Sequence, residues 1–311
     1  MLSATLSHAA RSPRARHAVE ALPLTRAVVD RFVAGERTTD AVAAASELAA
    51  VGRSVTIDVL GEGVHDVAGA RRTRDAYLAL LGALAEAGLA RGADASVKLS
   101  ALGQAIPGVG EAFVVEQAEE VCAAARAVGA TVTLDMEDHT TVDSTLSVGE
   151  TLRRTDPTVG NVLQSNLLRT PGDIAALARG GAGGTRVRLV KGAYKEPAGV
   201  AHQRKRDVDA AYRDDVAALL GSRCYAMIAT HDPVMLTHAV GVAEREGRTA
   251  DAWELQMLYG IRTDLQQGAT DAGHRMRVYV PFGTDWYGYF MRRLAERPAN
   301  VAFFLRALAH R

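Results

Sequence analysis

A chain of 311 residues, 48% of them apolar, can fill one large core or two ordinary ones. Its 36 acidic and 36 basic residues balance and form no basic block, so the electrostatic footprint of a nucleic-acid binder is missing and no nucleic-acid partner is expected. Cys122 and Cys224 fit no CxxC or zinc spacing and read as small buried residues of a reducing compartment, and no apolar run reaches the roughly 20 residues that span a bilayer, so a cytoplasmic protein is expected.

Residues 1–16 carry Arg and Ser and little acid, as transit peptides do, but Ala18–Phe32 runs on as an apolar-periodic helix without a cleavage-like break. Residues 2–52 read as alanine-rich helices, with Thr39 or Asp40 placed to cap the segment that ends before Gly52. Strand-like runs then alternate with helix-like stretches, at Ser54–Leu60, Ala95–Leu102, Thr131–Asp138, Asn161–Leu167, Arg186–Tyr194, Cys224–His231, Trp253–Tyr259 and Met276–Val280. Eight such runs with no linker between halves predict an α/β fold, a (β/α)8 barrel over 53–311 with 1–52 packed on it as a helical segment. A doubly wound sheet is the alternative.

Alternation within the strands bears on function. Thr131, Thr133 and Asp135 share one face of the third run, and Val132, Leu134 and Met136 the other. Ser96, Lys98 and Ser100 form the polar face of the second, Gln164 and Asn166 that of the fourth, Arg186 and Arg188 that of the fifth. The helix-facing side must be apolar, so these polar faces are expected inside the barrel, with Lys98, Asp135, Gln164 and Arg188 toward the carboxyl ends where barrel enzymes build their sites. The alternative is an internal salt-bridge layer that only fills the barrel, at the cost of burying many charges.

After the eighth run, Pro281 and Gly283 lead into a helix with adjacent arginines, Arg292 and Arg293, and Tyr289 one turn earlier. Two planar guanidinium forks suit one small carboxylate if that helix crosses a pocket; a solvated basic helix paired to Glu296 is the alternative. There is no P-loop, GxSxG, HExxH or strand-following GxGxxG, and Asp135, Glu137, Asp138 and His139 lack the spacing of a metal set, so no metal is expected. A flavin fits better: Arg188 can offset the negative charge of a reduced ring, Lys191-Gly-Ala193 offers backbone at a strand end, and Thr230-His231-Asp-Pro233 offers groups for ribityl or phosphate oxygens. The tail Val301–Arg311 is amphipathic, a lid or packing helix, with contact to a bilayer as the alternative.

Val97-Lys-Leu-Ser100, Leu134-Asp-Met-Glu137, Val162-Leu-Gln164, Arg188-Leu-Val-Lys-Gly-Ala-Tyr194, Ala229-Thr-His-Asp232, Glu254-Leu-Gln-Met-Leu-Tyr-Gly260 and the block from Tyr279 to Asn300 together resemble proline dehydrogenase, in that family's order, over roughly residues 54–305. The resemblance implies a distorted (β/α)8 barrel with a C-terminal helix over the site, binding FAD non-covalently and oxidising L-proline to 1-pyrroline-5-carboxylate. It implies that Arg292, Arg293 and Lys98 hold the substrate carboxylate, that Asp135 orders them, and that Arg188 lies near the flavin nitrogen that accepts hydride. Met136, Gln164, Lys191, Gly192, Ala193, Thr230 and His231 would contact FAD. Tyr194, Leu258, Tyr279 and Tyr289 would wall the proline ring, with Tyr279 favouring proline over hydroxyproline.

The family commonly has Leu-Gln-Ala-Tyr-Leu where this chain reads Leu163-Gln-Ser-Asn-Leu167, so Asn166 stands in place of an aromatic residue beside the cofactor. No second catalytic region follows before Arg311, so a separate pyrroline-5-carboxylate dehydrogenase is expected in the pathway, and a quinone as electron acceptor, at the inner face of the membrane if the protein docks there peripherally. Two other functions fit a barrel with inward lysines: a lyase forming a Schiff base at Lys98 or Lys191, and a non-catalytic amino-acid binder.

Overall fold

The structure, a computed structural model, describes residues 29–61, 64–180 and 184–296, with side chains described up to residue 291. The predicted helices before residue 29 and the tail after 296 therefore lie outside the described residues. α1 (Thr38–Ala50) precedes eight strands, β1 (Ser54–Val59), β2 (Asp94–Val97), β3 (Thr131–Leu134), β4 (Gly160–Gln164), β5 (Arg186–Val190), β6 (Tyr225–Ala229), β7 (Trp253–Leu258) and β8 (Met276–Phe282). Between them run α2 (Val67–Glu86), α3 (Glu111–Val128), α4 (Val142–Arg153), α5 (Thr170–Arg179), α6 (Lys205–Leu220), α7 (Pro233–Arg245) and α8 (Thr263–Asp271), and α9 (Trp286–Glu296) follows β8. The strands are all parallel and close in sequence order, β8 returning to β1 through the pairs Thr56↔Tyr279 and Asp58↔Pro281. This is the barrel that the alternation predicts, and not a doubly wound sheet.

Each strand has one apolar face against the helix layer. Val55 and Ile57, Ala95 and Val97, Val132 and Leu134, and Val278 and Val280 join Leu80, Leu84, Val114 and Val121 in one core; β5 to β7 and the helices α5 to α7 build another. Burying one such Leu or Ile removes enough apolar surface from water to contribute about 1.5–3 kcal/mol. Asp66 caps α2, its carboxylate accepting the Gly69 N–H at 2.6 Å. Cys122 and Cys224 are free and buried, and burial pushes the Cys122 thiol up to about 12. Among the described residues no helix is long and apolar enough to cross a membrane.

The strands end earlier than the residue pattern predicts. β2 stops at Val97 and turns into a 3-10 helix, Leu99–Leu102, closed by Gly103 at φ 113°; β3 stops at Leu134, β4 at Gln164, β5 at Val190 and β6 at Ala229. Ser100 is thus off the strand, and its hydroxyl donates to Glu137 Oε1 at 2.8 Å. Alternation outlasts the ladders because the following loops are also buried on one side. β8 does the reverse and continues through Pro281 to Phe282, paired there with Asp58 and Val59 of β1, and the Pro281 carbonyl accepts the Ala34 N–H at 2.9 Å. Val29, Phe32 and Val33 pack there against Trp286 and Phe290 of α9.

The inward faces are polar from bottom to top. Near the amino-terminal mouth Arg277 Nε donates to Glu254 Oε1 at 2.6 Å. One layer up, Asp94 accepts from Thr56, Thr131, Thr133, Arg186 and Arg188, and these guanidinium groups pull its carboxyl below the usual carboxylate value although burial pushes the other way. This is the internal salt-bridge layer. Above it the barrel opens into a cavity, so the two readings of the polar faces divide by height rather than exclude each other.

Candidate active site

Four residues at the carboxyl ends of β1, β2, β3 and β8 meet on the cavity floor. Lys98 Nζ lies 2.7 Å from Asp58 Oδ2 and 3.6 Å from Asp135 Oδ2, and the Tyr279 hydroxyl donates to Asp135 Oδ2 at 2.9 Å. Burial opposes the charge on Lys98, but Asp58 and Asp135 outweigh it and hold the ammonium well above its ordinary value. Burial drives the Asp58 carboxyl up against the pull of the same ammonium, and burial with the two carboxylates keeps the Tyr279 phenol protonated far beyond neutral pH. Asp135 is thus one carboxylate beside Lys98, but the nearer partner of Lys98 is Asp58, which the motifs leave out. The signal was present: in Thr56-Ile-Asp58 the alternation that identifies Lys98 and Asp135 also turns Asp58 inward.

Arg188 reaches this floor from β5 and is 3% exposed. Nε donates to Gln256 Oε1 at 2.8 Å, Nη1 to Ser96 Oγ at 2.9 Å and to Asp135 Oδ1 at 3.4 Å, and Nη2 to Asp94 Oδ2 at 3.2 Å and Thr56 Oγ1 at 3.5 Å. All five donors are thus engaged, and the group sits over the Tyr279 ring at 5.4 Å. It offers the cavity fixed positive charge instead of a spare N–H. Gln256, Glu254, Asp94 and Arg277, which support it, belong to the same inward faces but to none of the quoted roles.

The cavity above holds about 480 Å³, within the range of roughly 300–1,000 Å³ usual for small-ligand sites. Met136, Gln164, Lys191, Gly192, Ala193, Thr230 and His231 all line it, as do Tyr194, Leu258, Tyr279 and Tyr289. Arg292 and Arg293 lie on α9, with side chains outside the described residues. Met136 reaches the cavity because β3 has ended, so strict alternation no longer turns it toward the helices. Lys191 is drawn to two carboxylates, Asp209 at 2.6 Å and Asp232 at 3.1 Å. His231 Nε2 accepts the Leu258 N–H at 2.9 Å, which leaves the ring proton on Nδ1. Tyr194, 39% exposed, stands on the rim.

Gly192 lines the cavity and has a second constraint behind it. Its φ is 101°, and a Cβ there would overlap the Asn166 carboxamide, so the glycine is required by the packing of Asn166 behind it. Asn166 itself is buried and lies outside the cavity wall, its Nδ2 donating to the Tyr194 carbonyl at 3.5 Å. The aromatic residue common at this position is thus replaced by a polar group that braces the Lys191–Tyr194 loop from the rear.

Fold and site define a (β/α)8 barrel with one charged floor and an apolar-walled cavity above it at the carboxyl ends of the strands. Residues 41–306 match the family model for proline dehydrogenase. The chain is 41% identical over 285 residues to the proline dehydrogenase of Deinococcus radiodurans, covering 90% of each, and 36% identical to proline dehydrogenase 2 of Bacillus subtilis (strain 168), covering 91% of each. Among solved structures it resembles proline utilization A from Bdellovibrio bacteriovorus, with a TM-score of 0.80 and 25% identity over 88% of this chain, while spanning 33% of that longer protein. The chain belongs to the proline dehydrogenase family.

Proposed function

We propose that this protein oxidises L-proline to 1-pyrroline-5-carboxylate, the first step of proline catabolism to glutamate, with FAD held non-covalently in the carboxyl-terminal cavity. The observation that carries the reading is the floor cluster, where an ammonium fixed by two carboxylates faces a cavity of small-ligand size. The wall suits a flavin: Met136, Val162 and Leu258 offer apolar surface for a flat ring, and Gln164, Thr230 and Lys191 offer polar edges. FAD, when bound, supplies the two-electron acceptor for the hydride that leaves proline C5.

The chain's own residues do the rest. Lys98, with Arg292 and Arg293, binds the substrate carboxylate and so fixes the ring, which is catalysis by positioning. Tyr279 holds its proton against Asp135 and lines the cavity, where with Leu258, Tyr289 and Tyr194 it walls the proline ring and excludes water. Arg188 supplies constant positive charge beneath the site. The same geometry argues against a Schiff-base lyase: Lys98 is held as an ammonium, and Lys191 is clasped by two aspartates. Electrons then pass to a quinone, and the product goes to a separate pyrroline-5-carboxylate dehydrogenase; the family resemblance supports both, with the protein cytoplasmic or docked peripherally at the membrane's inner face.

The test is an anaerobic visible spectrum of the purified protein before and after L-proline. A flavin band that bleaches with proline is expected; a flavin band that proline leaves unchanged overturns the substrate, and failure to bind added FAD overturns the cofactor. Arg292→Ala and Arg293→Ala should each raise KM for proline at unchanged flavin content, with a loss in kcat/KM of about 2 kcal/mol.

A further inference from the structure

The barrel has a second cavity at its other end. It holds about 680 Å³ at the amino-terminal mouth and is walled by five arginines, Arg153, Arg154, Arg186, Arg275 and Arg277, with Glu150 as its one carboxylate. Two of the five are neutralised from behind. Arg186 pairs with Asp94 at 3.1 Å and Arg277 with Glu254 at 2.6 Å.

The other three are not matched in this way. Arg153 donates to the Asn161 carboxamide and, at 3.5 Å, to the Val159 carbonyl; Arg275 donates to the Asp251 carbonyl at 3.2 Å. Among the described residues no carboxylate lies within salt-bridge reach of Arg153, Arg154 or Arg275. Burial pulls the Arg153 guanidinium below its ordinary value, and Glu150 only partly opposes it. Glu150 attracts Arg153, and Asp251 attracts Arg275 from outside the wall, but the wall itself sets five guanidinium groups against one carboxylate. Like charges gathered in one cleft repel one another unless a counter-charge joins them. Guanidinium forks match the paired oxygens of phosphate and carboxylate groups.

We infer that the amino-terminal mouth of the barrel binds a small polyanion, a phosphate- or carboxylate-bearing molecule of at least two negative charges, distinct from the proline site. Arg153, Arg154 and Arg275 grip its oxyanion groups, Thr131 and Thr158 line the same cavity with hydroxyls, and Arg186 and Arg277 form the floor. The inference does not rest on the proposed oxidation, since the two cavities open at opposite ends of the strands.

The full-length protein saturated with FAD is titrated with inorganic phosphate and, separately, with succinate, by calorimetry and by thermal unfolding, against sodium chloride of matched ionic strength. Saturable binding is expected, with a rise in Tm of about 2 °C at a tenfold excess over Kd. The ratio of the two affinities tells a phosphate site from a dicarboxylate site. Arg154→Gln combined with Arg275→Gln, both at exposed positions, should weaken binding at least tenfold while proline-dependent flavin bleaching is unchanged. Heat and Tm changes no larger than those of chloride, or equal affinity in wild type and the double variant, would overturn the inference. Arg153→Gln, a second variant that removes the half-buried fork by itself, should also weaken binding, and unchanged affinity in it and in the double variant would overturn the inference.

Discussion

Asp58 is 1% exposed, lines the cavity floor and accepts from the ammonium of Lys98 at 2.7 Å. Replacing it by Asn leaves Lys98 with Asp135 at 3.6 Å as its carboxylate neighbour. A charge-assisted hydrogen bond is worth about 1.5–3 kcal/mol, so Asp58→Asn should lower kcat/KM for proline about tenfold at unchanged flavin content. The pH profile carries a second signature. Asp58 helps raise Lys98, so its loss lowers the ammonium's pKa, and the alkaline limb of kcat/KM should move to lower pH. Steady-state kinetics across pH decide this, and a wild-type profile would remove Asp58 from the carboxylate site. Residues such as Lys98, Asp135 and Arg188 were legible from the sequence because strand alternation turns them inward; the partner each one takes was not, because Asp58 and Lys98 are 40 residues apart and meet only where β1 lies beside β2.

At the scale of elements, α6 carries a group that titrates where it can be observed. Asp215 is buried against the end of β4, its Oδ2 has no hydrogen-bond partner among the described residues, and burial pushes its carboxyl up to about 6 although Ser165 pulls the other way. The folded state therefore keeps the proton between roughly pH 4 and 6 while the unfolded chain loses it, so this carboxyl's contribution to stability falls as pH rises through that window and is level above it. Asp215→Asn removes the titration, and its stability relative to wild type should climb from pH 4 to pH 6 by on the order of 1–2 kcal/mol after allowance for solvent screening. Urea unfolding at pH 4, 5, 6 and 7 measures the difference; a flat difference would mean that Asp215 is ionised throughout. Element identities followed from pattern alone, whereas β2 and β3 end short because Lys98 and Asp135 lead into loops whose buried side prolongs the alternation beyond the ladder.

At the scale of the molecule, the described residues form a barrel with a charged column running from one mouth to the other. Arg277 bonds Glu254, Gln256 Nε2 donates to Glu254 Oε1 at 2.6 Å, and Arg188 donates to Gln256, so the lower layers carry the floor of the proposed proline site. Glu254→Gln leaves the Arg277 guanidinium buried opposite a neutral amide, and breaking such a pair costs about 3 kcal/mol or more. Chemical unfolding should register that loss directly; a cost below about 1 kcal/mol would mean that Asp94 takes over as counter-ion.

The sequence by itself determined the eight alternating strands, their inward polar faces and the glycine and arginine motifs of the family, because side-chain alternation and the need to bury apolar area act on every strand locally. Only the tertiary structure decided that Asp58 and not Asp135 is the nearer partner of Lys98, that Lys191 is held by Asp209 and Asp232, that Gly192 answers to Asn166, and that β8 runs through Pro281. Each of these depends on which strand or loop closure sets beside another, and hydrogen bonds and ion pairs of about 3 Å discriminate among neighbours that no linear spacing can rank.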